Sequence, residues 1–267
     1  MTSDLLADTS IVVIGGTTGL GLSASLSFMG AGASVVAVGR NEDNVIKAQA
    51  EMAKINPDRG HAMAGDAIDP VTSSDAIAVC LEKFGNFEGL YHVAGGSGRR
   101  FGDGPLHEIT VEGIDKTLDL NLKSLMLSNR AAVQSFLERK TAGRVLNMGS
   151  VLGYSPSPQY FSTHVYAAAK AAIIGFTKAT AAYYANDNIR FNVIAPALVE
   201  TPMAQRAAND DVIQNFIKTK QPLDGGRIGC PEDLDGLATY LLSQQSRFVT
   251  GQVIAVDGGW TVSEGQL

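Results

Sequence analysis

The sequence predicts a doubly wound α/β fold, with a seven-stranded parallel sheet covered by helices on both faces. Three observations lead there. Short apolar runs rich in β-branched residues alternate with helical patterns from one end to the other, which is the signature of βαβ units. Those runs are nearly continuous rather than interrupted by polar residues, as strands buried on both faces require. The first run flows directly into a glycine-rich turn that opens a helix.

In chain order, strands are expected over residues 11–15, 34–38, 60–64, 89–93, 144–148, 189–194 and 252–256. Helices are expected over 20–30, 42–55, 72–84, 111–138, 164–185, 209–219 and 231–242. Asp69-Pro70 and Cys230-Pro231 put proline at or near a first helical turn, where its missing N–H is harmless. Longer loops remain at 96–106, 152–163 and 196–226, and ligands bind in loops at the carboxyl ends of such strands. No composition shift, linker or repeat divides the chain. Residues 1–267 therefore read as one Rossmann-type domain, with a cofactor half of roughly 8–150 and a catalytic and substrate half of roughly 150–267.

Composition narrows the function classes. The 267 residues are 45% hydrophobic and 18% charged, enough to bury a full core. Lys plus Arg at 21 against Asp plus Glu at 27 gives a net charge of -6 with no basic tract, which argues against nucleic acid as a partner. Residues 1–10 carry acidic side chains where a secretory leader would carry basic ones, and the run 11–14 is too short to span a bilayer. A soluble cytoplasmic protein without membrane contact is the expectation. Cys80 and Cys230 are too few and too isolated for a disulfide framework or a zinc site, so both are expected reduced, with Cys80 a small core residue and no metal.

The turn Gly15-Gly16-Thr17-Thr18-Gly19-Leu20-Gly21 lets the backbone approach a pyrophosphate, whose charge free N–H groups at a helix start can hold. Its spacing differs from the commonest dinucleotide fingerprint, and a tight turn without a ligand is the alternative. The second strand ends in Val38-Gly39-Arg40. A carboxylate at that point would accept hydrogen bonds from a ribose 2'-hydroxyl, whereas Arg40 can pair with a 2'-phosphate, so NADP (NADPH) is favoured over NAD. In the competing arrangement Arg40 lies in solvent and Glu42 or Asp43 faces the ribose. Asp66 after the third strand could reach the adenine amine, or could serve only the turn before Asp69-Pro70.

Tyr166 and Lys170 stand four residues apart on a predicted helix, so they share a face. The ammonium is expected to favour the ionised phenol and bring it toward a general acid–base role at neutral pH. An ordinary exposed pair on an alanine-rich helix is the plain alternative.

Taken together, the glycine turn, Asn121 in Asp119-Leu120-Asn121-Leu122, Ser150 in Asn147-Met148-Gly149-Ser150, the Tyr166 to Lys170 motif and Val256-Asp257-Gly258-Gly259 resemble the short-chain dehydrogenase/reductase family over essentially the whole chain. The resemblance implies hydride transfer between a nicotinamide and a carbonyl or alcohol carbon. It makes Tyr166 the proton donor or acceptor and Lys170 the group that lowers its pKa and binds the nicotinamide ribose. Ser150 would hold the substrate oxygen, and Asn121 would keep a water in a proton relay to Lys170. On the cofactor side it assigns Gly15, Thr17, Thr18, Gly19, Leu20 and Gly21 to the turn, with Arg40, Asp66 and Ala67 beyond it. Ala94, Gly95, Pro196, Val199 and Thr201 then face the nicotinamide end beside Tyr166 and Lys170. It also implies a homo-oligomer, a dimer or tetramer, built through the helices of Asn121 and Tyr166.

The chain departs from that family's pattern in places. His92-Val93-Ala94-Gly95 stands where Asn-Asn-Ala-Gly is usual, and His92 is expected to be a structural replacement pointing into the packing. Pro196-Ala197 replaces Pro-Gly, and the stretch from Ser150 to Tyr166 is a few residues longer than in close relatives. Arg99 and Arg100 in a glycine-rich loop could clamp a carboxylated substrate or could be solvated charges. Tyr154, Tyr160, Phe161, His164 and the segment 203–220 fall in the loops expected to enclose the substrate. Nucleotide-sugar epimerases share the Tyr-Lys spacing but have a different glycine pattern, and enoyl reductases of similar fold space the pair more widely. A dinucleotide-binding sensor or structural subunit would need the glycine turn but not Ser150 or Asn121.

Overall fold

The computed structural model describes residues 4–201, 204, 207 and 209–265. Its strands are β1 Ser10–Ile14, β2 Ser34–Gly39, β3 Gly60–Ala64, β4 Gly89–His92, β5 Gly143–Met148, β6 Ile189–Pro196 and β7 Val253–Val256. All pair in parallel, in the order β3-β2-β1-β4-β5-β6-β7. The helices are α1 Gly19–Gly30, α2 Glu42–Ile55, α3 Thr72–Phe84, α4 Val111–Leu118, α5 Ser124–Arg139, α6 His164–Tyr184, α7 Asp211–Lys220 and α8 Glu232–Leu242.

Neighbouring residues of an extended strand face opposite sides. Ile11 and Val13 of β1 accordingly join Phe28, Met52, Leu234 and Leu241 beneath α1, α2 and α8. Val12 and Ile14 join Ile77, Cys80, Phe136 and Phe191 beneath α3, α5 and α6. Burial on both faces is why every β1 position is apolar or small, and it pushes the Cys80 thiol up to about 12. Each fully buried Ile, Leu or Phe contributes about 2 kcal/mol, so the sheet is a rigid platform for what stands on its edge. A separate cluster of Val151, Ile213, Phe216, Ile217 and Trp260 packs the loops beyond β5 and β6.

Two expected elements differ. The helix read over 111–138 is interrupted by a π turn at Asp119–Lys123, between α4 and α5. A helical periodicity read over the whole stretch does not locate the single extra residue of such a turn. The helix read from 209 starts at Asp211, since the Asp210 carboxylate accepts the N–H groups of Val212 (3.0 Å) and Ile213 (3.1 Å) and so caps it. Met203, placed among the substrate loops by its position, lies outside the described residues, as do residues 1–3. Among the described residues no helix is long and apolar enough to cross a membrane.

Candidate active site

The carboxyl ends of β1, β4, β5 and β6 lie side by side, and each leads into one part of the site. Gly15 leaves β1 with φ +87°, and a Cβ there would fall 2.6 Å from the Ala94 nitrogen. A Cβ on Gly21 would lie 2.0 Å from the Gly15 carbonyl oxygen, so only glycine lets α1 close on the turn. Thr18, the N-cap of α1, makes no side-chain cap bond, and the first turn, Gly19 and Leu20 included, has no acidic residue. The N–H groups of that turn are therefore left for an external anion, and the residues present fit a dinucleotide pyrophosphate.

At the far end of the turn, the buried Thr17 side chain packs against Gly39 at the end of β2. The Arg40 guanidinium stands 3.9 Å from the Asp66 carboxylate, with both side chains partly exposed. Asp66 also accepts the Ile68 N–H at 3.2 Å, which is the turn arrangement the sequence left open for it, and the neighbouring Ala67 is buried. Glu42 and Asp43 form the first turn of α2, where they meet the positive end of that helix.

Asn121, Ser150, Tyr166 and Lys170 converge around the ends of β4 and β5. Ser150 follows β5, accepts the Leu152 N–H at 3.2 Å and donates to the Pro196 carbonyl at 3.5 Å. It also stands close enough to the Tyr166 phenol to favour its ionised form. Lys170 is 3% exposed, and its ammonium donates to the Met148 carbonyl at 2.9 Å and lies 5.5 Å from the Tyr166 ring centroid. A Cβ on Gly95 would stand 2.8 Å from Asn121 Oδ1 and 3.6 Å from Lys170 Nζ, which shows how closely these groups gather. Pro196, Val199 and Thr201 lie on the segment leaving β6, where Val199 bridges to Gly229.

One sequence expectation needs correction here. Burial pushes the Tyr166 phenol above its ordinary value, and Ser150, rather than Lys170, is the neighbour that opposes the rise. Burial also draws Lys170 down to about 8. Desolvation is thus the first cause for both members of the pair, which burial decides and spacing does not. The Asn121 side chain, moreover, is committed to backbone. It accepts the Gly96 N–H at 3.0 Å and donates to the carbonyls of Gly96 and Thr117, each at 2.9 Å. It staples the loop after β4 to the π turn.

His92 points into the packing, as expected. Nε2 meets the Ala94 carbonyl at 3.1 Å and so carries the proton, while Nδ1 accepts from Ser128 Oγ at 2.8 Å. Burial, with Lys170 nearby, lowers it to about 3 and keeps it neutral. The exposed Arg99 donates to the Tyr160 carbonyl at 3.2 Å, and Arg100 stacks on Phe101 at 4.7 Å. Tyr160 and Phe161, expected from the sequence to help enclose the substrate, pack against Phe216 (4.9 Å) and Trp260 (5.8 Å). Tyr154 and His164 remain exposed.

Sequence reasoning missed two residues. Buried Gln221 accepts the Leu198 N–H at 2.9 Å and donates to its carbonyl at 3.2 Å, fixing the segment that carries Val199. Buried Asp103 accepts the backbone N–H groups of Val165 (3.0 Å) and Tyr166 (2.9 Å). Its one sequence signal is an acid flanked by glycines in a loop after a strand end.

Comparison with known proteins places this geometry. A family model described as Enoyl-(Acyl carrier protein) reductase matches residues 15–261. The 3-oxoacyl-[acyl-carrier-protein] reductase FabG of Chlamydia muridarum is 31% identical over 257 residues, covering 96% of this chain and 99% of that protein. The 2,5-dichloro-2,5-cyclohexadiene-1,4-diol dehydrogenase of Sphingobium indicum is 31% identical over 263 residues, 97% of this chain and 99% of that one. Among solved structures, a short-chain type dehydrogenase/reductase from Mycobacterium ulcerans superposes with a TM-score of 0.88 at 27% identity, covering 97% and 92% of the two chains. Levodione reductase superposes with a TM-score of 0.84 at 25% identity, over 95% and 98%. A parallel sheet ending in a glycine turn, matched from that turn to beyond β7 by the same family model, puts this chain in the short-chain dehydrogenase/reductase family, as an oxidoreductase acting on CH–OH and C=O groups with NAD(P).

Proposed function

We propose that the chain is an NADPH-dependent carbonyl reductase in which Tyr166 supplies the proton. The observation that carries this reading is the gathering of Ser150, Tyr166 and Lys170 at the ends of β4 and β5, facing the glycine turn after β1. When bound, the nicotinamide supplies or takes the hydride. Ser150 holds the substrate oxygen by a hydrogen bond, and the Tyr166 O–H delivers its proton to that oxygen as negative charge builds there. The reverse reaction returns the proton to Tyr166. Lys170, anchored to Met148, directs its remaining N–H donors toward the phenol and the ribose side. Asn121 holds Gly96 and thereby the floor made by Ala94 and Gly95. The free first turn of α1 takes the pyrophosphate, and Gly39 with Arg40 favours a 2'-phosphate over a ribose held by a carboxylate.

The four-residue spacing of Tyr166 and Lys170 favours a carbonyl over the enoyl substrate in the matched model's description, and the relatives cited are named as a ketoacyl reductase and a diol dehydrogenase. Exposed Val111 and Met126 on α4 and α5 support a homo-oligomer through those helices, which light scattering on an eluting peak checks. Tyr166→Phe tests the chemistry. It keeps the ring and removes the transferable proton, so turnover should fall by about a hundred- to ten-thousandfold while NADPH affinity stays within about twofold. Turnover near that of the unmodified chain, followed by cofactor absorbance over a panel of ketones, would overturn it.

A further inference from the structure

We infer that Asp103 is a positioning residue for Tyr166, a carboxylate reaching from the loop after β4 to hold the first turn of the catalytic helix. The inference rests on Tyr166 being the proton donor. Asp103 is 5% exposed, and its two oxygens accept the N–H groups of two successive residues, Oδ1 from Val165 at 3.0 Å and Oδ2 from Tyr166 at 2.9 Å. These are the second and third residues of α6, whose N–H groups have no partner inside a helix. An N-cap side chain normally takes them. Thr163 occupies that place in α6 but makes no side-chain cap bond, so a carboxylate 62 residues earlier in the chain does its work.

Two oxygens on two successive N–H groups constrain the turn more than a single hydroxyl does. They fix how far α6 is advanced and how it is rotated about its axis, and with that where the Tyr166 phenol stands relative to Ser150. The negative charge also meets the positive end of the α6 dipole.

The other side of the clamp is equally held. The Asp103 N–H donates to the Gly98 carbonyl at 3.1 Å, and Thr110 ties the same loop through Oγ1 to the Phe101 carbonyl (2.9 Å) and through its N–H to the Gly102 carbonyl (3.1 Å). The loop begins at Gly96, which Asn121 grips from both sides. One continuous set of hydrogen bonds thus runs from the π turn through the loop after β4 to the backbone of Tyr166. Asp103 is the only carboxylate the described contacts place on that turn of α6.

The test measures hydride transfer in a single turnover, by stopped-flow absorbance of NADPH, per cofactor site counted by fluorescence titration. Asp103→Asn keeps the shape but presents an amide to one of the two N–H groups, and Asp103→Glu keeps the charge on a longer arm. Both should lower the rate per site by about tenfold or more, the scale of a misplaced reacting group, with NADPH affinity within about twofold. A structural role alone would lower the number of sites or the melting temperature and leave the rate per site unchanged. That result in either variant, or loss of cofactor sites in both, would overturn the proposal. Tyr166→Phe in parallel separates the two claims: if it stays active the proton-donor reading fails first, and if it is inactive while Asp103→Asn is not, only the positioning role fails.

Discussion

Thr17 and Gly39 occupy each other's space. A Cβ on Gly39 would lie 1.9 Å from Thr17 Oγ1 and 2.8 Å from Thr17 Cβ and Cγ2. Threonine is stiff about χ1 and this one is buried, so it has no easy way to yield. A carboxylate at position 39, where we propose that the ribose is read, is therefore excluded by packing as well as missing from the sequence. Gly39→Asp alone should weaken NADPH and NADH alike, by about tenfold or more, because the turn must move to admit it. Thr17→Gly/Gly39→Asp should recover NADH binding and lose NADPH. Fluorescence titration of both cofactors reads this, and a single Gly39→Asp variant that binds NADH tightly would show the contact to be soft. At this scale the sequence made legible what adjacent spacing controls. The shared face of Tyr166 and Lys170 follows from helical periodicity, and the inward His92 from the end of a buried strand. What it hid depends on distant partners or on burial: Asp103 acts on residues 62 and 63 positions away, and the upward shift of Tyr166 comes from desolvation.

Each helix end in this fold has to find partners for its backbone, and how it does so decides what can be read in advance. Glu42–Ile55 is legible because Asn41 accepts the Asn44 N–H at 3.0 Å, a local cap. Glu232–Leu242 ends with no basic residue in its last turn. Its last carbonyls, and one in the loop beyond, are met from the sheet instead. Arg190 of β6 donates to Leu241 (3.0 Å), Ser243 (3.2 Å) and Val249 (3.1 Å), and Arg144 of β5 donates to Leu242 (2.9 Å). Both arginines stand at the strand starts, the opposite edge of the sheet from Ser150 and Tyr166. Arg190→Ala should cost about 2 kcal/mol or more of stability, since it strips charge-assisted hydrogen bonds from three carbonyls. Arg190→Lys, with a point charge in place of a fork, should recover only part. Denaturant unfolding measures the loss, and cofactor binding by the folded fraction should be unchanged. A loss below about 0.5 kcal/mol would mean that water serves those carbonyls as well. The π turn at Asp119–Lys123 belongs to the same class of hidden feature. Its side-chain partner, the Gly96 backbone, comes from a loop 25 residues earlier.

Across the whole molecule, groups buried by the fold tie its stability to pH in opposing directions. His92 is held at about 3 against an ordinary 6.5, so the unfolded chain binds the proton more readily and stability is lost as pH falls from 6.5 toward 3. Asp235 on α8 runs the other way. Burial, with Glu232 adding repulsion, raises it from 3.8 to about 6, although Ser23 of α1 donates to Oδ2 at 2.7 Å. Its other oxygen, Oδ1, is buried without a hydrogen-bond partner. A raised carboxyl favours the folded state when protonated. Its contribution is fully present below 3.8 and is lost as pH rises through 6, where the fold must carry the charge between α1 and α8. Asp235→Asn keeps an acceptor for Ser23 and removes that charge. At pH 8 the variant should therefore melt at a higher temperature than the unmodified chain. The gap should narrow as pH falls through about 6, because the native carboxyl then becomes neutral as well. Melting curves at a series of pH values between 8 and 5 decide it, with His92 common to both proteins and cancelling in the difference. A gap that stays constant over that range would mean Asp235 keeps its charge throughout, and that water reaches the joint between α1 and α8.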